Sequence, residues 1–187
     1  MTRGTLFYYE SDNDVWSSTE FNGDMYHGTP EKPEGVGDDV IELMANLHSL
    51  DDFKKVLKQI NKHYKYEEGN DVYSVSEVAI AENTKATMDW IDKERPDLKN
   101  TDSDPSAWKK LPTFKDANTW RFWGVPNLSD YSYIYNNSGE DLVIKTRVRK
   151  KIVIPDGCIG ILNYGSNDCL CKDGKIIDGM GNYKVAK

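Results

Sequence analysis

The chain has 187 residues, with 24 Lys and Arg against 31 Asp and Glu and a formal charge of −7. A net negative surface repels phosphate backbones, which disfavours general nucleic-acid binding. Hydrophobic content of 38% beside 29% charged residues fits a globular chain rather than a disordered one, and no stretch approaches the roughly 20 apolar residues of a membrane helix.

Residues 4–10 and 15–21 are β-prone and are joined by Ser11, Asp12, Asn13 and Asp14, a turn composition, so a hairpin is predicted. Residues 28–35 hold Gly28, Pro30, Pro33 and Gly35, which breaks regular structure. From Asp38 the positions Val40, Ile41, Met44 and Leu47 recur at helical spacing. Ser49 opens a second helix with a capping-box pattern in which Asp52 takes the place of Glu or Gln. Its apolar stripe is Leu50, Phe53, Val56, Leu57 and Ile60, and Lys54, Lys55, Lys58 and Lys62 lie opposite. A third helix is expected within 76–94, anchored by Met88, Trp90 and Ile91 and ending before Pro96. Residues 97–118 read as a long polar loop, a length that is uncommon in a compact domain.

From Trp120 the pattern becomes β. Short strands are expected at 119–123, 131–136, 141–149, 151–154, 158–163, 169–172, 175–178 and 182–185. Two turns stand out, Asn136 to Gly139 and Lys172 to Lys175; the Asp173-Gly174 pair favours a type I′ hairpin. Strands, then helices, then many strands point to α+β: an antiparallel sheet packed against two or three helices, with a β-rich C-terminal part. The organisation expected is an α+β domain over 1–150 and a small β-hairpin appendage over 151–187 packed on the same domain.

Lys145, Arg147, Arg149, Lys150 and Lys151 cluster, and 145, 147 and 149 would share one strand face. This face is either a solvated, edge-protecting one or an anion and nucleotide contact. Cys158, Cys169 and Cys171 are an odd number, and 169 and 171 fall on one strand face. Zinc sites show two separated Cys or His pairs, so half-buried reduced thiols are expected instead, in a cytosolic protein without a secretory leader. His27, His48 and His63 match no metal motif, and the last two are expected near helix C-termini. No metal or other cofactor is expected. Motifs of the common hydrolases, NTPases and dinucleotide folds do not occur in this sequence.

The N-terminal block carries a resemblance. Thr2, Arg3 and Gly4, a hairpin, the run Phe21, Asn22, Gly23, Asp24, Met25, Tyr26, a loop with Gly35 and Gly37, and an amphipathic helix resemble an uncharacterised family of small proteins of bacteriophages and low-GC Gram-positive bacteria. The family run reads like Tyr-Asn-His-x-Asp-x-Tyr-Pro followed by x-Gly and the helix. Here the His and Pro of that run are missing, and His27 and Pro30 come slightly later. The Tyr-rich hairpin of Tyr131, Ser132, Tyr133, Ile134, Tyr135 with Leu142, Val143 and Ile144 is similar to the family's second half.

Where a hairpin hands over to a helix, binding sites are common. Asn22, Asp24, Tyr26 and His27, with Tyr131 and Tyr133, are therefore the expected ligand-binding residues: polar groups to hydrogen-bond and rings to form a wall. Turn and capping chemistry explains the same composition. The function expected is that of a non-enzymatic acidic binding or inhibitor-like protein of phage or mobile-element type, whose partner is a host or phage protein or a small ligand. Two other readings stay open. One is a hydrolase built on an N-terminal Thr2 nucleophile or on Asn22, Asp24 and His27; the other is nucleotide binding at the basic strand.

Overall fold

The structure is a computed structural model that describes residues 2–28, 32, 34–66, 71–107, 114–115, 129–145, 151–163 and 168–180. Strands expected at 119–123 and 182–185, and the basic residues Arg147, Arg149 and Lys150, lie outside the described residues.

The N-terminal hairpin forms as β1 (Arg3–Ser11) and β2 (Asp14–Ser18), followed by a two-residue strand β3 (Phe21–Asn22). Helices α1 (Val36–Leu43), α2 (Leu50–Tyr64) and α3 (Glu77–Glu94) follow, with a short strand β4 (Val72–Ser74) between the last two. The second half supplies β5 (Tyr131–Asn136), β6 (Leu142–Lys145), β7 (Lys151–Ile154), β8 (Ile159–Asn163), β9 (Asp168–Lys172) and β10 (Lys175–Met180). The fold is α+β.

Eight strands form one sheet in the order β10-β9-β8-β5-β1-β2-β4, and β3 continues the β2 edge by pairing with Arg3 and Gly4. All pairs are antiparallel except β1 with β5, whose six partners run from Gly4↔Tyr131 to Tyr9↔Asn136. Strands β8, β9 and β10 continue this sheet, since β8 pairs with β5 from Tyr135↔Ile159 to Tyr131↔Asn163 and with β9 on its other side. The hairpin expected between 131–135 and 142–144 does not form. Both edges of β5 are occupied by β1 and β8, so β6 pairs with β7 in a separate two-stranded ribbon.

Two-residue alternation sorts the side chains between two cores. On the helix face Leu6, Tyr8, Tyr133, Tyr135, Ile159, Ile161, Cys169 and Cys171 meet Val40 and Ile41 of α1, Met44 just past its end, and Phe53, Leu57 and Ile60 of α2. On the other face Phe7, Tyr9, Ile134, Leu162 and Leu170 meet Ile144, Ile152 and Ile154 of the ribbon, with Ile80 and Phe114. Each fully buried aliphatic or aromatic side chain contributes on the order of 1.5–3 kcal/mol by leaving water.

The α2 start follows the capping logic with one change. Asp52 N–H donates to Ser49 Oγ at 3.2 Å, while the Asp52 carboxylate accepts from the amide of His48 rather than of Ser49. His48 therefore lies at the entry of α2 and not at a helix C-terminus as expected. His63 does lie in the last turn of α2, and Lys65 ends that helix in the left-handed conformation. Asp173 and Gly174 both take positive φ, 52° and 76°, as the type I′ turn requires.

Asn136 joins the ribbon to the sheet. It is fully buried; its Nδ2 donates to the carbonyls of Glu140 (2.7 Å) and Ile154 (2.8 Å), and its Oδ1 accepts from Ser138 N–H and Oγ–H. Removing that amide leaves several polar groups unpaired, each costing about 1–3 kcal/mol where it stays buried. Asn136→Ala is expected to lower unfolding stability by roughly 3 kcal/mol in a denaturant titration, whereas Asn46→Ala, at an exposed position, should change it by no more than about 0.5 kcal/mol.

Candidate functional site

The hand-over from β3 to α1 is built by backbone. Gly23 and Asp24, both at positive φ (137° and 48°), turn the chain so that Met25 N–H returns to Thr2 C=O at 3.0 Å. Helix α1 has no side-chain N-cap, because Gly35 (φ 91°) precedes it. Two of its otherwise unpaired amides are instead satisfied by the turn: Val36 N–H donates to Asp24 C=O and Gly37 N–H to Tyr26 C=O, both at 2.9 Å. Gly37 is required by that approach, as a Cβ there would stand 2.6 Å from the Tyr26 carbonyl oxygen. Asp38, in the first turn, accepts from Gly28 N–H at 3.1 and 3.2 Å. Burial raises its carboxyl, opposed by the amides of Gly28 and Glu34.

Strand β5 meets this turn from below. Tyr133 is fully buried and its hydroxyl donates to Met25 C=O at 2.6 Å. Tyr131 stacks on Tyr133 with centroids 6.3 Å apart, and His27 stands edge-on to Tyr131 at 5.7 Å. The imidazole is buried, with Nδ1 2.9 Å from Gly28 C=O and Nε2 3.5 Å from Cys169 Sγ. A carbonyl only accepts, so Nδ1 carries the proton and Nε2 is the acceptor toward the thiol. Burial opposes charge on His27, but Cys169, the Gly28 carbonyl and Asp38 together outweigh it and raise its pKa. Cys169 moves the opposite way: a hydrogen bond from Cys171 and then His27 hold it below the ordinary thiol range against burial.

Of the residues expected to bind a ligand, the structure brings His27, Tyr131 and Tyr133 together in a packed interior. Tyr26 is half-buried beside Gly35, and Asn22 and Asp24 are exposed on the turn. Thr2 is half-buried at the head of β1. Next to it Arg3 lies 3.6 Å from both Glu20 and Asp130, and a chain of hydroxyls runs from Thr5 to Ser129 (2.5 Å) and on to Glu20 (2.8 Å).

Two features had no sequence signal. The contact of His27 with Cys169 spans 142 positions, and only the shared strand face of Cys169 and Cys171 hinted at it. The other is an open groove of about 640 Å³ between α1 and α2, lined by Asp39, Glu42, Leu43, Ile60, His63 and Tyr64 among others. Tyr64 Oη–H donates to the Asp39 carboxylate in a short hydrogen bond and its hydroxyl is pushed up to about 12, by burial and then by Asp39. His63 packs edge-on to Tyr64 at 4.7 Å.

No group of three or more His, Cys, Asp or Glu placed to hold a metal ion occurs among the described residues, and no described helix is long and apolar enough to cross a membrane. No family model, curated protein or solved structure matches the chain.

Tyr133 offers a test of the junction. Its hydroxyl is raised well above the usual phenol range by burial, so the folded chain keeps a proton that the unfolded chain releases above pH of about 10. That contribution is complete below the unfolded value and is lost as pH rises toward the folded one. Tyr133→Phe is expected to cost about 1–3 kcal/mol at neutral pH, by leaving the Met25 carbonyl unpaired. The deficit should shrink in denaturant titrations carried above pH of about 10.

Proposed function

We propose that the protein is a binding protein and that the groove between α1 and α2 holds its ligand. The observation that carries this reading is the contrast between the two sites. The His27–Cys169 pair is sealed in the core, whereas the groove is open and of a size that takes small ligands. Its walls differ in sign. Asp39 and Glu42 come from α1, Lys62 and His63 from α2, and Leu43 and Ile60 supply apolar surface between them. That arrangement suits a short peptide with a free ammonium, a free carboxylate and an apolar side chain. The ammonium would meet Asp39 and Glu42, and the carboxylate would meet Lys62 and His63. The reading agrees with the non-enzymatic binding protein expected from the sequence, whose N-terminal block resembles a phage-associated family.

The test is amide NMR with tri-leucine as probe at millimolar concentration. Shifts confined to the α1 and α2 amides around residues 39–43 and 59–64 are expected. N-acetylation or C-amidation of the peptide should each weaken binding roughly tenfold, the equivalent of ~1.4 kcal/mol, and Glu42→Gln should do the same as N-acetylation. Absence of groove shifts, or equal binding by the doubly capped peptide, would contradict the proposal.

A further inference from the structure

The interior site has a chemistry that ligand binding in the groove does not use. Cys169 and Cys171 are both fully buried and lie on the helix face of β9, two residues apart. His27 Nε2 stands 3.5 Å from the Cys169 sulfur. His27 is itself oriented by its Nδ1–H bond to Gly28 C=O at 2.9 Å. A thiol, an imidazole that can take its proton and a carbonyl that orients the imidazole therefore follow one another, with a second thiol two residues along the same strand face. Around them are Asp38 from α1 and Tyr131 and Tyr133 from β5. Cys158 belongs to the opposite core, and burial pushes its thiol up.

We propose that Cys169 is a hydroperoxide-reactive thiol and that Cys171 resolves its oxidised form. His27 Nε2 accepts the Cys169 proton. The thiolate sulfur attacks one oxygen of the peroxide and the O–O bond breaks. Cys169 is oxidised to the sulfenic acid, and the departing oxygen leaves as water (or as the alcohol) with the proton returned from His27. The Cys171 sulfur then attacks the Cys169 sulfur, the S–O bond breaks, and a second water leaves carrying the Cys171 proton. The sum is two thiols and one hydroperoxide giving one disulfide, one water and either a second water or an alcohol. Burial selects the oxidant: a small peroxide reaches Cys169 through local opening, and a bulky thiol reagent does not. Residues two apart on a strand have Cα atoms about 6.6–6.8 Å apart, at the upper end of the span a disulfide bridges. Closing the bond must therefore buckle β9 and withdraw Cys169 from His27.

The experiment treats the native protein with dilute hydrogen peroxide and follows each thiol by peptide mass spectrometry. Cys169 and Cys171 are expected to lose two hydrogens as an internal disulfide at least roughly tenfold faster than Cys158 is oxidised. A bulky aromatic disulfide reagent should leave all three untouched. Cys171→Ser should stop at a sulfenic acid on Cys169 that dimedone traps. His27→Asn should bring Cys169 down to the Cys158 rate. Equal rates for the three native thiols, or no effect of His27→Asn, would overturn the proposal. The denaturant-unfolded wild-type chain keeps the test decisive if His27→Asn fails to fold. There the advantage of Cys169 over Cys158 must vanish, and its persistence would also overturn the proposal.

Discussion

The structure depends on one seam, the parallel pairing of β1 with β5. Six residue pairs join segments 127 positions apart, and α1 and α2, which lie between them in sequence, pack on one face of that seam. Loop closure over that distance is costly in entropy, so the seam forms only together with the cores that cover it. Its alternation sends Leu6, Tyr8, Tyr133 and Tyr135 toward α1 and α2, and Phe7, Tyr9 and Ile134 toward the β6–β7 ribbon. Neither core can be complete without both strands.

The seam also positions the site. Because Gly4 faces Tyr131 and Leu6 faces Tyr133, the Tyr133 hydroxyl arrives under Met25, whose amide is bonded to Thr2 at the head of the same strand. The turn so fixed supplies the carbonyls that cap α1 and places His27 against β9. From α1 onward, the groove toward α2 follows from where that helix starts. Asp39 and Tyr64, joined by a hydrogen bond, line it together with Leu43 and Ile60, which give it an apolar surface. The proposed groove binding and the proposed interior thiol chemistry would thus both draw on this one junction.

Local physics made much of this legible in the sequence. The stripe of Phe53, Val56, Leu57 and Ile60 and the Ser49 cap identified α2, and Asp173-Gly174 identified the β9–β10 turn, because neighbours in sequence determine both. The α+β class followed from the order of elements. The partner of β5 was not legible. Residues 131–135 and 142–144 look like a hairpin locally, but β5 is a central strand whose edges go to β1 and β8, and Asn136 instead diverts the chain into the ribbon. The same limit applied to the site. Asn22, Asp24, Tyr26 and His27 were grouped by adjacency, yet alternating backbone direction leaves Asn22 and Asp24 in solvent and turns His27 inward to a thiol that only tertiary structure brings near.

Native-state hydrogen exchange tests the central role of the seam most directly. If β1 and β5 close both cores, the amides of Leu6, Phe7 and Tyr8 and those of Tyr133, Ile134 and Tyr135 exchange only through global unfolding. They would then be the slowest in the chain and share one free energy and one denaturant slope. If β1 instead opens in a smaller step while β5 stays paired with β8, exchanging with a distinctly lower free energy and slope, the seam is not what holds the two halves together and the account fails.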